Sequence, residues 1–136
     1  MNIKKDNEIL KTSINSEGIL KLTLNNPSNH NVLSDLMIAS IQSTLDDSIN
    51  DKQVRVIIIS ADGPTFCAGH DLKELTLHRK NSDKGRKYYL EIMNNCSNLM
   101  KSIVNHPKPI IAEVGGVATA AGCQLVASCD LAYSTN

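Results

Sequence analysis

The feature that most constrains the fold is residues 54–60, VRVIIIS, a run with almost no alternation between apolar and polar positions. A strand that is apolar on both sides is typical of parallel sheets whose faces are covered by helices. Residues 110–114, IIAEV, form a second apolar run directly after Pro107 and Pro109, which end the preceding helical pattern. The two runs predict buried strands of an α/β fold, the first of them covered on both faces.

Three segments show helical patterns. Apolar residues recur at every fourth position from Leu33 to Ile49, and Ser34 is a candidate cap for that helix. A continuous apolar stripe predicts a second helix over residues 84–105. Residues 120–129 are almost wholly small or apolar, which predicts a buried helix.

The remaining segments predict strands and turns. Apolar and polar residues alternate over residues 8–24 with a turn at 16–18, a pattern that predicts a hairpin. Residues 25–31 predict a loop, because they contain a proline and four asparagines. Residues 131–133 look like the beginning of another strand. With no repeat or linker, the chain has room for one compact domain.

The composition excludes several classes of partner. Lys+Arg and Asp+Glu number 14 each, so the formal net charge is zero, which excludes a strongly cationic nucleic-acid binder. One Phe, three Tyr and no Trp provide no platform for stacking single-stranded bases. The apolar runs fall far short of the roughly 18 residues of a membrane span. We expect neither nucleic acid nor a membrane as a partner.

The start of the chain and the cysteines favour the cytoplasm. Residues 1–7, MNIKKDN, lack the apolar core of a secretory signal and contain no Arg. Cys67, Cys96, Cys123 and Cys129 have no C-x-x-C spacing, so they indicate neither a metal site nor a redox pair. We expect reduced, packed thiols in a cytoplasmic protein.

Two junctions along the chain consist of a strand, then small residues, then a helix. The first junction is residues 68–71, AGHD, and the second junction is residues 115–122, GGVATAAG. Amides at a helix start are unpaired and carry partial positive charge, and small side chains let a ligand approach them. Two such amides directed at one carbonyl oxygen would form an oxyanion hole. The alternative is that the glycines only permit tight turns; the glycine motifs that bind nucleotide phosphates are missing.

Both junctions lie inside longer motifs. The segments TFCAGHDLKEL (65–75) and GVATAAGCQLVASCD (116–130) resemble the two signatures of the crotonase, or enoyl-CoA hydratase/isomerase, superfamily. NNP (25–27) followed by NVL (31–33) is similar to the early Asn-Arg-Pro…Asn-Ala-Leu stretch of that family. The three matches occur in the family's order across nearly the whole chain.

The resemblance implies a fold and an assembly. The fold would be the α/β, ClpP/crotonase-like spiral of ββα units. Family members are considerably longer, so residues 1–136 would be the N-terminal part of a single crotonase-like domain, truncated before the C-terminal helical region. Members usually form trimers or dimers of trimers, and we expect a homo-oligomer (trimer or hexamer) or association with a C-terminal piece.

The resemblance also implies a function. Family members bind acyl-CoA thioesters and stabilise an enolate-like or tetrahedral oxyanion, with coenzyme A as part of the substrate and no separate cofactor or metal. Carried over by position, the two oxyanion donors would be the backbone N–H groups of His70 and Ala121. The residues that fall where the family lines its CoA site are Ala68, His70, Asp71, Leu72 and Lys73.

Gln124 is where this chain departs from a competent hydratase. It occupies the position of the first catalytic glutamate, and a carboxamide does not transfer protons near neutral pH. It can still hold a water or a thioester by hydrogen bonds. We therefore expect acyl-CoA binding with weak or absent hydratase activity, and the alternative is a non-catalytic or degenerate member that acts as a subunit or binding module.

Three further roles stay open at this level. The His70 ring either lines the pocket or acts as a base, and Asp71 is either a functional carboxylate or the cap of a following helix. Residues 73–87 carry six positive and two negative side chains, a net charge of +4. Such a patch suits the phosphates of CoA, or it is a solvated loop and helix face.

Overall fold

The computed structural model describes residues 9–135. Residues 1–8, on which the prediction about a secretory signal rests, lie outside the described residues, as does residue 136. The elements in chain order are β1 (Leu10–Ile14), β2 (Ile19–Leu24), a short 3₁₀ helix (Pro27–Asn29), α1 (Asp35–Asn50), β3 (Val56–Ala61), β4 (Thr65–Cys67), α2 (Leu72–His78), α3 (Arg86–Val104), β5 (Ile110–Val114), β6 (Val117–Ala118), α4 (Ala121–Ser128) and β7 (Leu131–Ser134).

Five of these strands form the main sheet, in the order β1-β2-β3-β5-β7. β1 and β2 make the predicted antiparallel hairpin, and every other pair is parallel. Ile57 of β3 lies between Leu20 of β2 and Ile110 of β5. Parallel neighbours need a crossover connection, which α1, α3 and α4 supply. The α/β prediction is therefore confirmed.

The core lies between one face of this sheet and helices α1 and α3. Ser34 caps α1 as predicted, because its Oγ accepts a hydrogen bond of 3.2 Å from the Met37 N–H. The sheet contributes alternate residues of its central strands to this core, as a period of two requires. The fully buried members of largest volume include Leu22, Leu24, Met37, Ile41, Leu45, Ile57, Ile59, Phe66, Ile92, Leu99 and Ile103.

β4 and β6 form a second, two-stranded parallel sheet apart from the main one. With them the chain runs as β1-β2-α1, then β3-β4 followed by α2 and α3, then β5-β6-α4. This order matches the expected ββα units. Sequence reasoning missed both short strands, because three and two residues are too few to display an alternating pattern.

Burial differs from the sequence predictions in three places. β3 is not buried on both faces: Ile57 and Ile59 face the core, whereas Ile58 on the other face is half-buried. Helix α4 is not wholly buried either, since only Ala121, Gly122 and Leu125 are out of solvent. Met93, counted in the apolar stripe of α3, is 47 % exposed. Each prediction assumed full cover on a side that residues 9–135 cover only in part or not at all.

None of the helices within residues 9–135 combines the length and the apolar character needed to cross a lipid bilayer.

Candidate functional site

The first junction begins where β4 ends. Gly69 has a φ of +92°, which an L side chain rarely adopts, so the turn requires glycine. Asp71 then caps α2: its Oδ1 accepts from the N–H groups of Lys73 at 2.8 Å and Glu74 at 3.3 Å. The helix predicted after Asp71 is present, and the capping role of this carboxylate is confirmed.

The second junction, residues 115–122, contains β6 and continues from its end into α4. Ala120 precedes the helix with φ 51° and ψ −127°, a backbone conformation that non-glycine residues seldom occupy. Such a conformation costs on the order of 1–3 kcal/mol and persists only where the surrounding contacts enforce it. The start of α4 is therefore fixed by tertiary packing rather than by local preference.

The two junctions are in direct contact. β4 and β6 pair in parallel with Cys67 opposite Ala118, and the Thr119 N–H donates to the Cys67 carbonyl at 3.0 Å. A Cβ placed on Gly69 would lie 2.9 Å from the Ala120 Cβ and 3.2 Å from the Ala121 nitrogen. The backbone of the first junction therefore lies against the first residue of α4.

The backbone N–H groups of His70 and Ala121 are not hydrogen-bonded within the described residues. Within residues 9–135, no hydrogen bond has either of these N–H groups as its donor. The carbonyl end of each peptide group is bonded: Leu33 N–H donates to the Gly69 carbonyl at 2.7 Å, and Cys123 N–H donates to the Ala120 carbonyl at 3.0 Å. Two unpaired donors on touching turns are the first requirement of an oxyanion site.

The His70 side chain is half-buried. Its Nε2 is out of solvent and, among the described residues, has no hydrogen-bond partner. Burial lowers the pKa of the imidazole below its ordinary value. A buried ring nitrogen without a partner in the chain is available to a ligand or a water. The sequence named His70, but nothing in the sequence indicated that this nitrogen would be unpaired.

The residues predicted for the CoA site lie around the first junction. The Ala68 N–H donates to the His30 carbonyl at 3.1 Å, so its backbone is already engaged. Leu72 opens α2 and is 72 % exposed. The exposed Lys73 ammonium donates to Asn29 Oδ1 at 3.3 Å. Leu72 and Lys73 are thus accessible, whereas Asp71 is committed to its cap.

Asn29 also bonds the remaining oxygen of Asp71. Its Nδ2 donates to Asp71 Oδ2 at 3.0 Å. Both oxygens of the Asp71 carboxylate are therefore satisfied inside the chain. These contacts of Asn29 were not predicted from the sequence, because residues 25–31 were assigned to a loop without naming a partner for any of their side chains.

Gln124 lies one turn into α4 and its side chain is exposed. Its backbone N–H donates to the Ala120 carbonyl at 3.2 Å, which is the first helical bond after the strained residue. Gln124 therefore shares a helix turn with Ala121 but faces solvent within the described residues.

The four cysteines differ in burial. Cys67 and Cys96 are buried as predicted, but Cys123 is exposed, so the prediction of packing is wrong for that thiol. Burial raises the pKa of Cys67 to about 11 and that of Cys129 to about 12. No three His, Cys, Asp or Glu side chains within residues 9–135 come together as a possible metal site.

The family model and the curated relatives that match this chain are of the same kind. The enoyl-CoA hydratase/isomerase family model matches residues 14–136. The human enoyl-CoA hydratase domain-containing protein 3, mitochondrial, is 48 % identical over 120 residues, which are 88 % of this chain and 38 % of that protein. The chain spans about two fifths of the length of this human protein and of its rat and mouse counterparts.

Solved structures show the same likeness in three dimensions. An enoyl-CoA hydratase from Mycobacterium smegmatis superposes with a TM-score of 0.85 at 41 % identity, covering 94 % of this chain and 48 % of that one. The crystal structure of human enoyl-CoA hydratase domain-containing protein 3 gives a TM-score of 0.84 at 46 % identity, with 93 % and 48 % covered. On the two signature motifs, the ββα fold and these matches, the chain belongs to the enoyl-CoA hydratase/isomerase family.

Proposed function

We propose that this chain binds acyl-CoA thioesters and polarises the thioester carbonyl with the backbone N–H groups of His70 and Ala121. The observation that carries the proposal is that these two N–H groups are unpaired and lie on junctions that contact each other. Membership of the enoyl-CoA hydratase/isomerase family supports the substrate class. The carbonyl oxygen accepts both hydrogen bonds, and these strengthen as negative charge develops on it.

The energetic contribution of such donors is large in the reaction and small in simple binding. Removing one oxyanion donor typically lowers the rate by about 10²–10³. An ordinary hydrogen bond to a neutral carbonyl contributes only about 0.5–1.5 kcal/mol. The Ala121 amide lies at the start of α4, where the helix dipole further favours negative charge.

The CoA part of the substrate is assigned to the surface around the first junction. Ala68, Leu72 and Lys73 border that junction, and the cationic residues of 73–87 give the segment its positive charge. A positively charged segment attracts the phosphates of CoA. The Asp71 carboxylate contributes indirectly, by holding the start of α2.

The experiment is a calorimetric titration of the full chain with a carba analogue of an acyl-CoA, in which CH₂ replaces the sulfur and the carbonyl is kept. A thioether analogue, which lacks that carbonyl, is the matched ligand control. We expect the carba analogue to bind at least about tenfold more tightly, since two hydrogen bonds distinguish the ligands. Equal affinities would refute carbonyl polarisation, and no binding of either at millimolar concentration would refute the CoA assignment.

Gln124 supports a second candidate, a non-catalytic or degenerate member that serves as a binding module or subunit. Its exposed carboxamide offers no proton-transfer group at the position where a true hydratase has a glutamate. The variant Gln124→Glu separates the candidates. Gain of hydratase activity shows an intact site that lacks only this group, and continued inactivity with retained binding favours the module.

The expected assembly, a trimer, a hexamer or a complex with a C-terminal piece, is part of the proposal. It is supported by exposed apolar residues on β7, where Leu131 is 66 % and Tyr133 52 % exposed. Sedimentation velocity tests it, and a well-behaved monomer at all concentrations would contradict it.

The cytoplasmic assignment stays a prediction as well. The human relative is called mitochondrial, and fractionation of cells that express the natural gene decides between the two compartments.

A further inference from the structure

Asn31 is a buried polar residue with an unusual backbone. Its side chain is fully out of solvent, and its φ of +50° lies in the left-handed region, which Asn tolerates better than most residues. It follows the short 3₁₀ helix and precedes α1, at the point where the loop turns toward the first junction. A buried amide in such a conformation calls for a reason beyond the turn itself.

The carboxamide of Asn31 is hydrogen-bonded at both its nitrogen and its oxygen. Its Nδ2 donates to the Asp62 carbonyl at 2.8 Å and to the Thr65 carbonyl at 2.7 Å. Its Oδ1 accepts from the Asn26 N–H at 2.7 Å. Two donors and one acceptor are needed at once, and of the small side chains only an amide supplies both. The group thereby ties the 26–33 loop to the start of β4.

The same loop contacts the first junction on both sides of Asn31. The His30 carbonyl accepts from the Ala68 N–H at 3.1 Å, and the Leu33 N–H donates to the Gly69 carbonyl at 2.7 Å. Leu33 and His70 also form an isolated parallel bridge. The loop that Asn31 anchors is therefore paired, residue by residue, with the segment that carries the His70 amide.

The direction of the His70 N–H follows from this pairing. The Gly69 carbonyl and the His70 N–H belong to one planar, trans peptide group, so they point in opposite directions. A bond from Leu33 to the carbonyl fixes the plane of that group and polarises its N–H as a donor. A change in the position of Leu33 therefore changes where the His70 N–H points.

We propose that Asn31 is a positioning residue for the oxyanion site, acting through Leu33 and the Gly69–His70 peptide group. The inference rests on the proposed function for the role of the His70 amide. Asn31 touches no substrate; it holds the loop whose Leu33 N–H sets the orientation of the donor.

The first test needs no ligand. Asn31→Asp keeps the side-chain shape but replaces two N–H donors with an oxygen that faces two carbonyl oxygens. Ser48→Ala is the matched control, because it removes another buried polar group, a hydroxyl that donates to the Leu45 carbonyl at 2.7 Å and lies 3.1 Å from His106 Nε2. We expect amide hydrogen exchange at Leu33 to accelerate at least about tenfold in Asn31→Asp relative to the control, after correction for global stability. Unchanged exchange at Leu33 would overturn the proposal.

The second test measures carbonyl polarisation. The carba analogue, labelled with ¹³C at its carbonyl, is bound to the wild type, to Asn31→Asp and to Ser48→Ala, and the infrared carbonyl stretch is recorded. We expect the shift to lower wavenumber seen on binding to wild type to be at least halved in Asn31→Asp and kept in the control. A full shift in folded Asn31→Asp would refute the positioning role. No binding by wild type would refute the proposed function, and the exchange result alone would then decide whether Asn31 holds the Leu33 N–H in place.

Discussion

Replacing Gly69 with alanine perturbs both junctions at one point. The added Cβ would lie 2.9 Å from the Ala120 Cβ and 3.2 Å from the Ala121 nitrogen, and the residue would have to keep a φ of +92°. Left-handed backbone costs an L residue about 1–2 kcal/mol, and overpacking costs about 1–3 kcal/mol more. Alanine also lowers the conformational entropy of the unfolded chain, which offsets only about 0.4–1 kcal/mol of this destabilisation. We expect Gly69→Ala to lower the free energy of unfolding by about 2–4 kcal/mol.

Gly115→Ala is the matched control, because Gly115 lies before β6, at the opposite end of the second junction from Ala120 and Ala121. A Cβ at Gly115 meets nothing within 4 Å, so the free energy of unfolding should change by no more than about 0.5 kcal/mol. Urea unfolding followed by far-ultraviolet circular dichroism suits a chain without Trp. Folded Gly69→Ala should also bind the carba analogue at least about tenfold more weakly, because its Cβ pushes on the residue that carries the second donor. Equal stability and affinity in the two variants would refute the contact between the junctions.

Three further predictions follow from single groups. Ala121→Pro removes one donor at the first helical position, where the helix itself uses no N–H. Folded Ala121→Pro should bind the carba analogue about 3–10-fold more weakly than Ala121→Gly, which keeps the amide; equal affinities contradict a role for that N–H. Burial lowers the folded-state pKa of His70, so as pH falls the unfolded state binds the proton first. The free energy of unfolding should therefore decrease below about pH 6.5. Urea titrations at several pH values should show a smaller decrease in His70→Gln. Lys73→Gln should weaken binding about 2–5-fold and reduce its dependence on salt, whereas Lys52→Gln, an exposed change between α1 and β3, should leave both unaltered.

Local sequence signals predicted most of the fold. The hairpin, α1 with its Ser34 cap, β3, α3, β5 and β7 all occur where periodicity or apolar runs placed them. These elements are long enough for a period of two or 3.6 to be legible. β4 and β6 were not predicted, because their pairing depends on residues about 50 positions apart and not on local pattern.

The sequence named both junctions of the candidate site but not the contacts that hold them. Spacing and resemblance named the two junctions, yet the bond from Leu33 to the Gly69 carbonyl and the anchoring by Asn31 are long-range contacts that no local pattern encodes. The over-prediction of burial in α4 has the same origin. An apolar composition reports that a helix prefers cover, but only the tertiary structure shows how much cover it receives.

The strained backbone of Ala120 links the shape of the site to the small sheet. A residue at φ 51° and ψ −127° relaxes toward ordinary angles once its surroundings loosen. The neighbouring constraint is the β4–β6 pair, a ladder of only two registered positions. On warming, this pair should open before the five-stranded sheet melts, and the Ala121 amide would then turn away from its partner donor. Heat should therefore abolish binding of the carba analogue at a lower temperature than it abolishes the helical circular dichroism of the chain.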